Sequence, residues 1–572
     1  MKVFVQGSTS SLSLTKGDYV GQGGEGTIYA KGNTAFKIYT DPQKMIPVGK
    51  VTELSAIQDP HVIRPDKIIY DIKKNPIGYT MRFVKGGYVL CQLFPRTFRD
   101  RNGLTPNGIQ DLVRQFQESI QGIHQTGILL VDLNEMNFMV DKGFGEILCI
   151  DVDSYQTKDY PAKVLMPSVR DWSCGKKFST MSDWFSFGVV TFQMFMGIHP
   201  FKGKHPGFSG PDKLTERMKA GVSIFDPQVR VPKAAYPMSV IPKAYLPWYK
   251  ALFVEGKRCA PPDLSGIMIV VQPQVRSIQG TDNFEIKVLA EYTSDIRQVW
   301  PSKKDQSAVV VAEDGIYHTS FGGSSRSVRL SETPDNVYGI AEASLSGKPV
   351  LARGVPGEVP TLYSLQDRKE IPFFLKVDDL VAYRGDFYYK LRDAVYCIEL
   401  HSMGDQILPT TKEISQVMEM SSKLYPGVIV QNMLGSVYLN TLSPTGSRQF
   451  RAKELDAYKI VDAKADGTAL MFIGVKDGNY DRIILRLGEG ETYDVRIEED
   501  ISYDGLNFIT LDSGVVLCIN EAEEVELFRS RPQDPLMKKI KDPMVGGDMA
   551  LSVLGGKAVF SRGRKVYSIK SK

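Results

Sequence analysis

Residues 127–156 read GILLVDLNEMNFMVDKGFGEILCIDVDSYQ, and the reading of the whole chain turns on them. Asp132 and Asn137 sit in a loop between the apolar runs 128–131 and 138–140, and Asp151 and Asp153 follow a second apolar run, 147–150. Alternation of short apolar runs with polar loops predicts strands carrying two carboxylate loops side by side. Moving a phosphoryl group needs a base near the accepting hydroxyl and hard oxygen ligands for magnesium, because the chemistry is mostly positioning and charge neutralisation. Asp132, Asn137 and Asp151 supply those residue types.

Working outward, residues 109–124 (IQDLVRQFQESIQGIH) repeat apolar positions every three or four residues, which predicts an amphipathic helix. Farther upstream, Gly21-Gln22-Gly23-Gly24-Glu25-Gly26-Thr27-Ile28-Tyr29 carries a GxGxxG spacing flanked by strand patterns. That context suits a glycine-rich hairpin over phosphates more than a turn opening a helix. Eleven residues after Gly26, Lys37 stands alone in the apolar strand Ala35-Phe36-Lys37-Ile38. A lysine there can reach the phosphates of a nucleotide and needs an anion to hold it, and Glu53 is the one glutamate between Glu25 and Glu118, so a Lys37–Glu53 ion pair is expected. Met81-Arg82-Phe83 ends a strand and enters Lys85-Gly86-Gly87, where an adenine edge could meet backbone groups; the same segment reads equally as an ordinary strand end.

In this order the motifs resemble the eukaryotic-like protein kinase fold over about residues 10–265. The glycine loop, the strand lysine, a single helix glutamate, D-x-x-x-x-N, an aspartate after an apolar strand, Ser182-Asp183-Trp184 and His199-Pro200-Phe201 follow one another at kinase spacing. GGEGTIY, AFKIY, IDVDSYQ and FMGIHPFKG look like a divergent bacterial and phage branch of that family. The resemblance implies ATP and Mg as cofactors. It implies catalytic roles for Asp132, Lys37 and Glu53, nucleotide contacts from Gly21, Gly23, Gly24, Gly26, Ile28, Lys37, Met81 and Phe83, magnesium ligation by Asn137 and Asp151, and bracing of the catalytic loop by Asp183. A protein substrate, and a phospho-signalling partner such as a cognate phosphatase, are implied by the family alone.

The pattern has departures. Leu130 and Val131 replace the usual histidine and arginine before the catalytic aspartate, so a phosphate on the activation segment lacks its usual arginine. Asn134 stands where a lysine usually meets the transferred phosphate, and losing that cation slows transfer unless another group compensates. Asp153 replaces a glycine, as a second metal ligand or a turn cap. Asp171-Trp172-Ser173 stands in place of Ala-Pro-Glu, which leaves Arg258 without its usual partner.

Beyond about residue 285 the writing changes to short alternating strands divided by Asp314-Gly315, Asp466-Gly467, Asp477-Gly478 and Asp504-Gly505 turns. A strand signature recurs seven times, centred on Ile316, Leu362, Val395, Val437, Ile483, Val516 and Val566. Its spacings of 46, 33, 42, 46, 33 and 50 residues average about 42, the length of a four-stranded propeller blade. A seven-bladed β-propeller is expected, with a large β sandwich as the alternative; no WD or kelch motif is present. The last signature leaves no room for an outer strand, so residues 283–292 (NFEIKVLAEY) are expected to return and complete its blade. The expected division is 1–265 kinase-like, 266–282 linker and 283–572 propeller, a multidomain chain with an α+β bilobal part followed by an all-β part.

At 572 residues the chain is too long for one domain, and 42% hydrophobic with 24% charged residues is ordinary globular usage. A net charge of +4 from 70 basic and 66 acidic residues points to no nucleic-acid partner and no membrane anchor. Six cysteines without a CxxC pair suit a reducing compartment, and the longest apolar stretches, such as 267–271, cannot span about 30 Å of hydrocarbon, so a cytoplasmic protein is expected. Two readings follow: a magnesium-dependent serine/threonine kinase whose propeller recruits a protein partner, or a pseudokinase scaffold working through the propeller. A third is that the same site phosphorylates a small molecule, since fold does not fix the acceptor.

Overall fold

A computed structural model describes residues 1–23, 25–162, 165–175, 177–208, 210, 212–263, 283–322, 325–334, 336–404, 406–490, 492–501, 505–532 and 537–572. The expected linker 266–282, the apolar run 267–271, Gly24 and Asp504 lie outside them. The chain is multidomain and mostly β.

The first region opens on a seven-stranded antiparallel sheet ordered Ser11–Ser13, Lys2–Val5, Ile68–Tyr70, Pro76–Arg82, Thr34–Tyr39, Gly26–Lys31, Tyr19–Gln22. Gly26 is required by close approach: a Cβ there would lie 2.4 Å from the Ile38 carbonyl oxygen. Below the sheet, the expected helix runs Pro106–Gln125, with the Thr105 hydroxyl accepting from Gly108 N at 3.1 Å and Pro106 in its first turn. A second helix, Thr180–Met196, is buried without interruption from Ser182 to Met196, and its apolar residues run all round it as a central helix requires. Phe116 links the two, with ring centroids 4.4 Å from Phe138 and 5.2 Å from Phe187. Ile147–Cys149, Phe138–Val140 and Tyr88–Val89 form a small antiparallel sheet that carries both carboxylate loops.

Residues 283–572 form seven four-stranded antiparallel sheets. Six are consecutive meanders, beginning at Ile296, Val337, Asp379, Ser422, Lys459 and Phe508. The seventh takes Ala550–Leu554, Lys557–Arg562 and Lys565–Ser571 and adds Phe284–Glu291 against the last of them, so the early segment pairs with the C-terminal strand as expected. Six of the seven repeated signatures fall on third strands. The one at Val516 falls on a second strand, Val515–Ile519, which explains why the spacings on either side of it were 33 and 50 residues.

The two regions share one apolar core: Met471, Ile473, Ile484 and Phe508 belong to the same cluster as Leu90, Phe94, Phe138 and Phe201. Polar contacts fix the join. Gln92 Nε2 donates to Val461 O at 2.7 Å, the Tyr480 hydroxyl donates to Glu135 Oε1 at 2.9 Å, and Lys202 Nζ donates to Ile501 O at 3.0 Å. A cavity of about 2010 Å³ is lined by residues from the first strand of every one of the seven sheets and by the helix Arg96–Asn102.

The closing strand pair yields a test. Ile569 is buried beside Phe284 and Phe560 and faces Ile286 across the pair. Ile569→Ala should cost about 3 kcal/mol. Amide exchange should then speed up together on Phe284–Glu291 and Lys565–Ser571; faster exchange on one strand alone would contradict the pairing.

Candidate functional site

Lys37 lies on the interior strand Thr34–Tyr39, with Ile28 and Tyr79 as its cross-strand partners. Its Nζ donates to Asp153 Oδ2 at 2.7 Å and to Asp151 Oδ1 at 3.0 Å, while Glu25 Oε2 lies 3.9 Å away. The Tyr39 hydroxyl, two residues along on the same strand face, donates to the same Asp153 oxygen at 2.5 Å. The ammonium also lies 5.3 and 5.8 Å from the Tyr39 and Tyr79 ring centres.

The electrostatics follow from this crowding. Burial alone would lower the Lys37 pKa, but the charges of Asp153 and Asp151 outweigh it and raise it. Burial would raise Asp153, yet the Lys37 charge and hydrogen bond and the Tyr39 hydroxyl hold it below the usual carboxylate range, at about 2. Asp151 moves the other way, to about 6, because burial and the neighbouring Asp153 charge prevail over Lys37.

Glu53 is not the partner of Lys37. Helix Val48–Leu54 turns Lys50, Val51 and Leu54 inward, and Lys50 Nζ donates to Asp153 O at 2.7 Å. Glu53 accepts from Asp159 N at 3.3 Å instead. The helix thus offers the site a second cation, so the anion comes from the loop, from Asp153. Neither role considered for Asp153, turn cap or metal ligand, had anticipated this ion pair.

Opposite, the loop from Leu130 to Asn137 is held from below by Asp183, which is fully buried. Its Oδ2 accepts from Leu130 N at 2.9 Å and its Oδ1 from Val131 N at 3.0 Å, and Oδ2 lies 2.9 Å from His124 Nε2. The brace matters because Val131, a β-branched residue, is in the left-handed region at φ 61°, as is Asp151 at 57°. Asn137 Nδ2 donates to Asp132 O at 2.9 Å and reaches Asp132 Oδ2 at 3.3 Å, while Ile150 N donates to Asn137 O at 2.9 Å and ties the two carboxylate loops together. Asp132 Oδ1 accepts from Met166 N at 2.8 Å.

In the glycine hairpin, Gly21 pairs with Ile28, Gly23 N donates to Gly26 O at 2.8 Å, and Gly24 is outside the described residues. Met81 pairs with Ala35, and Phe83 N donates to Asn33 O at 2.8 Å. Val20, Phe83 and Met139 border one end of the large cavity. Arg258 has a partner after all: its Nε and Nη2 each lie 2.7 Å from an Asp171 oxygen, a two-pronged pair.

Asp151, Asn137 and Asp153 offer an all-oxygen donor set, and Asp153 Oδ1 is buried without a hydrogen-bond partner, which fits a hard divalent cation. Sequence reasoning missed Tyr39, Lys50, Met166 and Tyr480. Tyr39 alone had a local signal, the two-residue period that puts it on the face of Lys37.

No protein-family model matches the chain. A curated relative, serine/threonine-protein kinase pkn2 of Myxococcus xanthus, is 27% identical over 166 residues, covering 27% of this chain and 19% of that protein. The twitchin kinase fragment of C. elegans, an autoregulated protein kinase with immunoglobulin domains, overlays at a TM-score of 0.34 with 16% identity, over 42% of this chain and 54% of that one. Part of the chain is thus similar in sequence to a serine/threonine-protein kinase, and the chain spans 19% of that relative's length. No helix among the described residues is long and apolar enough to cross a membrane.

Asp183→Ala should cost about 3 kcal/mol or more in chemical denaturation, because two buried amides and His124 lose their acceptor. Acid behaviour should separate the paired aspartates. Asp153, depressed in the folded chain, contributes stability above the unfolded carboxyl's 3.8 that is lost as pH falls toward about 2. Asp151, raised, instead favours the folded chain as pH falls from about 6 to 3.8. In Asp153→Asn the loss of melting temperature below pH 4 should shrink, and the Asp151 carboxyl, followed by NMR, should titrate at lower pH than in the wild type.

Proposed function

We propose that the chain is an ATP- and magnesium-dependent serine/threonine protein kinase, kinase-like over 1–265 and joined through 266–282 to a seven-bladed propeller at 283–572 that recruits a protein partner. One observation carries the reading: Lys37, bound to Asp151 and Asp153, faces a braced loop that carries Asp132 and Asn137. Five polar groups suited to phosphoryl transfer come together from three separate stretches of chain. The similarity to a serine/threonine kinase supports the same class. The propeller is supported by seven four-stranded sheets whose first strands line a common cavity, with a segment from residues 284–291 completing the last.

In this reading the Lys37 ammonium holds nucleotide phosphates, and the glycine hairpin covers them. Val20, Met81, Phe83 and Met139 flank the base. Asp132 takes the proton of the acceptor hydroxyl as the new bond from its oxygen to the γ-phosphorus forms and the bond from that phosphorus to the β-phosphate oxygen breaks, releasing ADP. Asn137, Asp151 and Asp153 Oδ1 would hold magnesium, which neutralises phosphate charge when bound. Asp153 replaces Glu53 as the group that orients Lys37.

A second reading, the pseudokinase scaffold, is favoured by the Met166 N–H on Asp132 Oδ1, because an amide occupies one of the two oxygens that could take a hydroxyl proton.

Transfer of labelled γ-phosphate from ATP to a generic protein substrate separates the two. An active kinase should lose at least about a hundredfold in rate in both Asp132→Ala and Asp151→Ala. Thermal stabilisation by ATP and magnesium with wild-type labelling no higher than in those variants would select the scaffold.

A further inference from the structure

The seven-sheet region straddles the crevice that holds Lys37 and Asp132. Its fourth sheet touches the glycine hairpin: the Tyr19 hydroxyl donates to Asn432 Oδ1 at 2.9 Å, and Gly435 packs on Gln22. Its fifth sheet touches the opposite wall through Tyr480 and Glu135 at 2.9 Å. The first strands of these two sheets each carry a lysine. Lys423, in the first strand of the fourth sheet, is two residues from Ser421, whose carbonyl accepts from Asn432 N at 2.9 Å. Lys459 opens the first strand of the fifth sheet; Val475 pairs with both Lys459 and Tyr480, so Lys459 and Tyr480 stand in one cross-strand row about 10 Å apart. These two first strands pack against each other.

Both lysines are exposed, and among the described residues neither ammonium donates a hydrogen bond or pairs with a carboxylate. Enclosure by protein lowers both pKa values; Lys459 lowers Lys423 further, while Cys91 and Asp379 oppose the shift at Lys423 and Cys91 and Asp151 oppose it at Lys459. Two adjacent like charges without a counter-ion are unfavourable unless an anion joins them. Lys423 also lines the large cavity, as do Val20, Phe83 and Met139.

We propose that Lys423 and Lys459 form a phosphate-binding pair, contributed by the sheets to the crevice between the glycine hairpin and the catalytic loop. The pair rests on the kinase reading only for the origin of the phosphate, which is either the nucleotide's tail or an acidic group on the acceptor. It would place cations in the region where Asn134 supplies none.

Inorganic pyrophosphate is the probe, titrated calorimetrically into the full chain without nucleotide. Lys423→Ala/Lys459→Ala should weaken its binding at least tenfold, and the double arginine variant should retain it. The alanine variant should melt no lower than wild type, since it removes repulsion and no bonded partner. Equal pyrophosphate affinity in wild type and the alanine variant, or no binding to either, overturns the proposal. ATP and AMP identify the source. If the nucleotide supplies the phosphate, the alanine variant loses at least tenfold in ATP affinity and keeps its AMP affinity. If the acceptor supplies it, ATP affinity holds and pyrophosphate still binds the ATP-saturated wild type. Should no form bind ATP or AMP, the kinase reading fails while a lysine-dependent pyrophosphate site still upholds the pair.

Discussion

A buried charge must find its counter-ion, and the pairing of Lys37 with Asp153 organises everything around it. Both side chains are largely removed from water, and an unpaired ion so placed costs several kcal/mol. The pair joins an interior strand of the first sheet to the loop after Cys149, so the two halves of the N-terminal region meet through it. Tyr39 and Lys50 add donors to the same residue, one on its carboxylate and one on its carbonyl. With Asp153 committed to the lysine, Asp151 is left half exposed at the edge of the cluster, which is where a carboxylate can still take a ligand.

Strain is placed where the two loops turn. Val131 and Asp151 both hold left-handed backbone, a conformation costing on the order of 1–3 kcal/mol for such residues. Each is over-determined. Val131 N and its neighbour Leu130 N bind a single fully buried carboxylate, and the Asp151 turn is pinned by Ile150 N on the Asn137 carbonyl and by its own side chain on Lys37. Loops held this way present Asp132 and Asp151 in fixed directions.

Most of what was legible in the sequence was what neighbours along the chain determine. The helix 109–124, the strand bearing Lys37 and the two carboxylate loops rest on local period, whereas the brace at Asp183 was legible only through the family resemblance and the returning strand at 283–292 only through the outer strand that the last repeat lacked. What was not legible depended on which distant side chain reaches a site first. Glu53 was the one glutamate between Glu25 and Glu118, yet its helix turns Lys50 inward, and an aspartate 116 residues from Lys37 takes the place. Arg258 found Asp171 for the same reason, since a two-pronged pair needs only a carboxylate in reach. The signature at Val516 misled because second and third strands of a meander share one alternation, and the period alone cannot rank them.

The join between the regions constrains what can approach Asp132. Met166, whose N–H binds Asp132 Oδ1, packs against the Asp477-Gly478 turn of the fifth sheet, where a Cβ on Gly478 would lie 3.4 Å from Met166 Cγ. The same sheet reaches Glu135, three residues beyond Asp132. Asp132 therefore meets an incoming hydroxyl, in the proposed reaction, through Oδ2, which Asn137 shares at 3.3 Å, a contact long enough to yield. That oxygen lies on the side of Asn137 and, through the Ile150–Asn137 bond, of the Asp151 loop. In the proposed reaction an acceptor at Oδ2 would therefore approach from the side of Asn137 and the Asp151 loop, because the other oxygen is closed by the Met166 amide that packs on the fifth sheet.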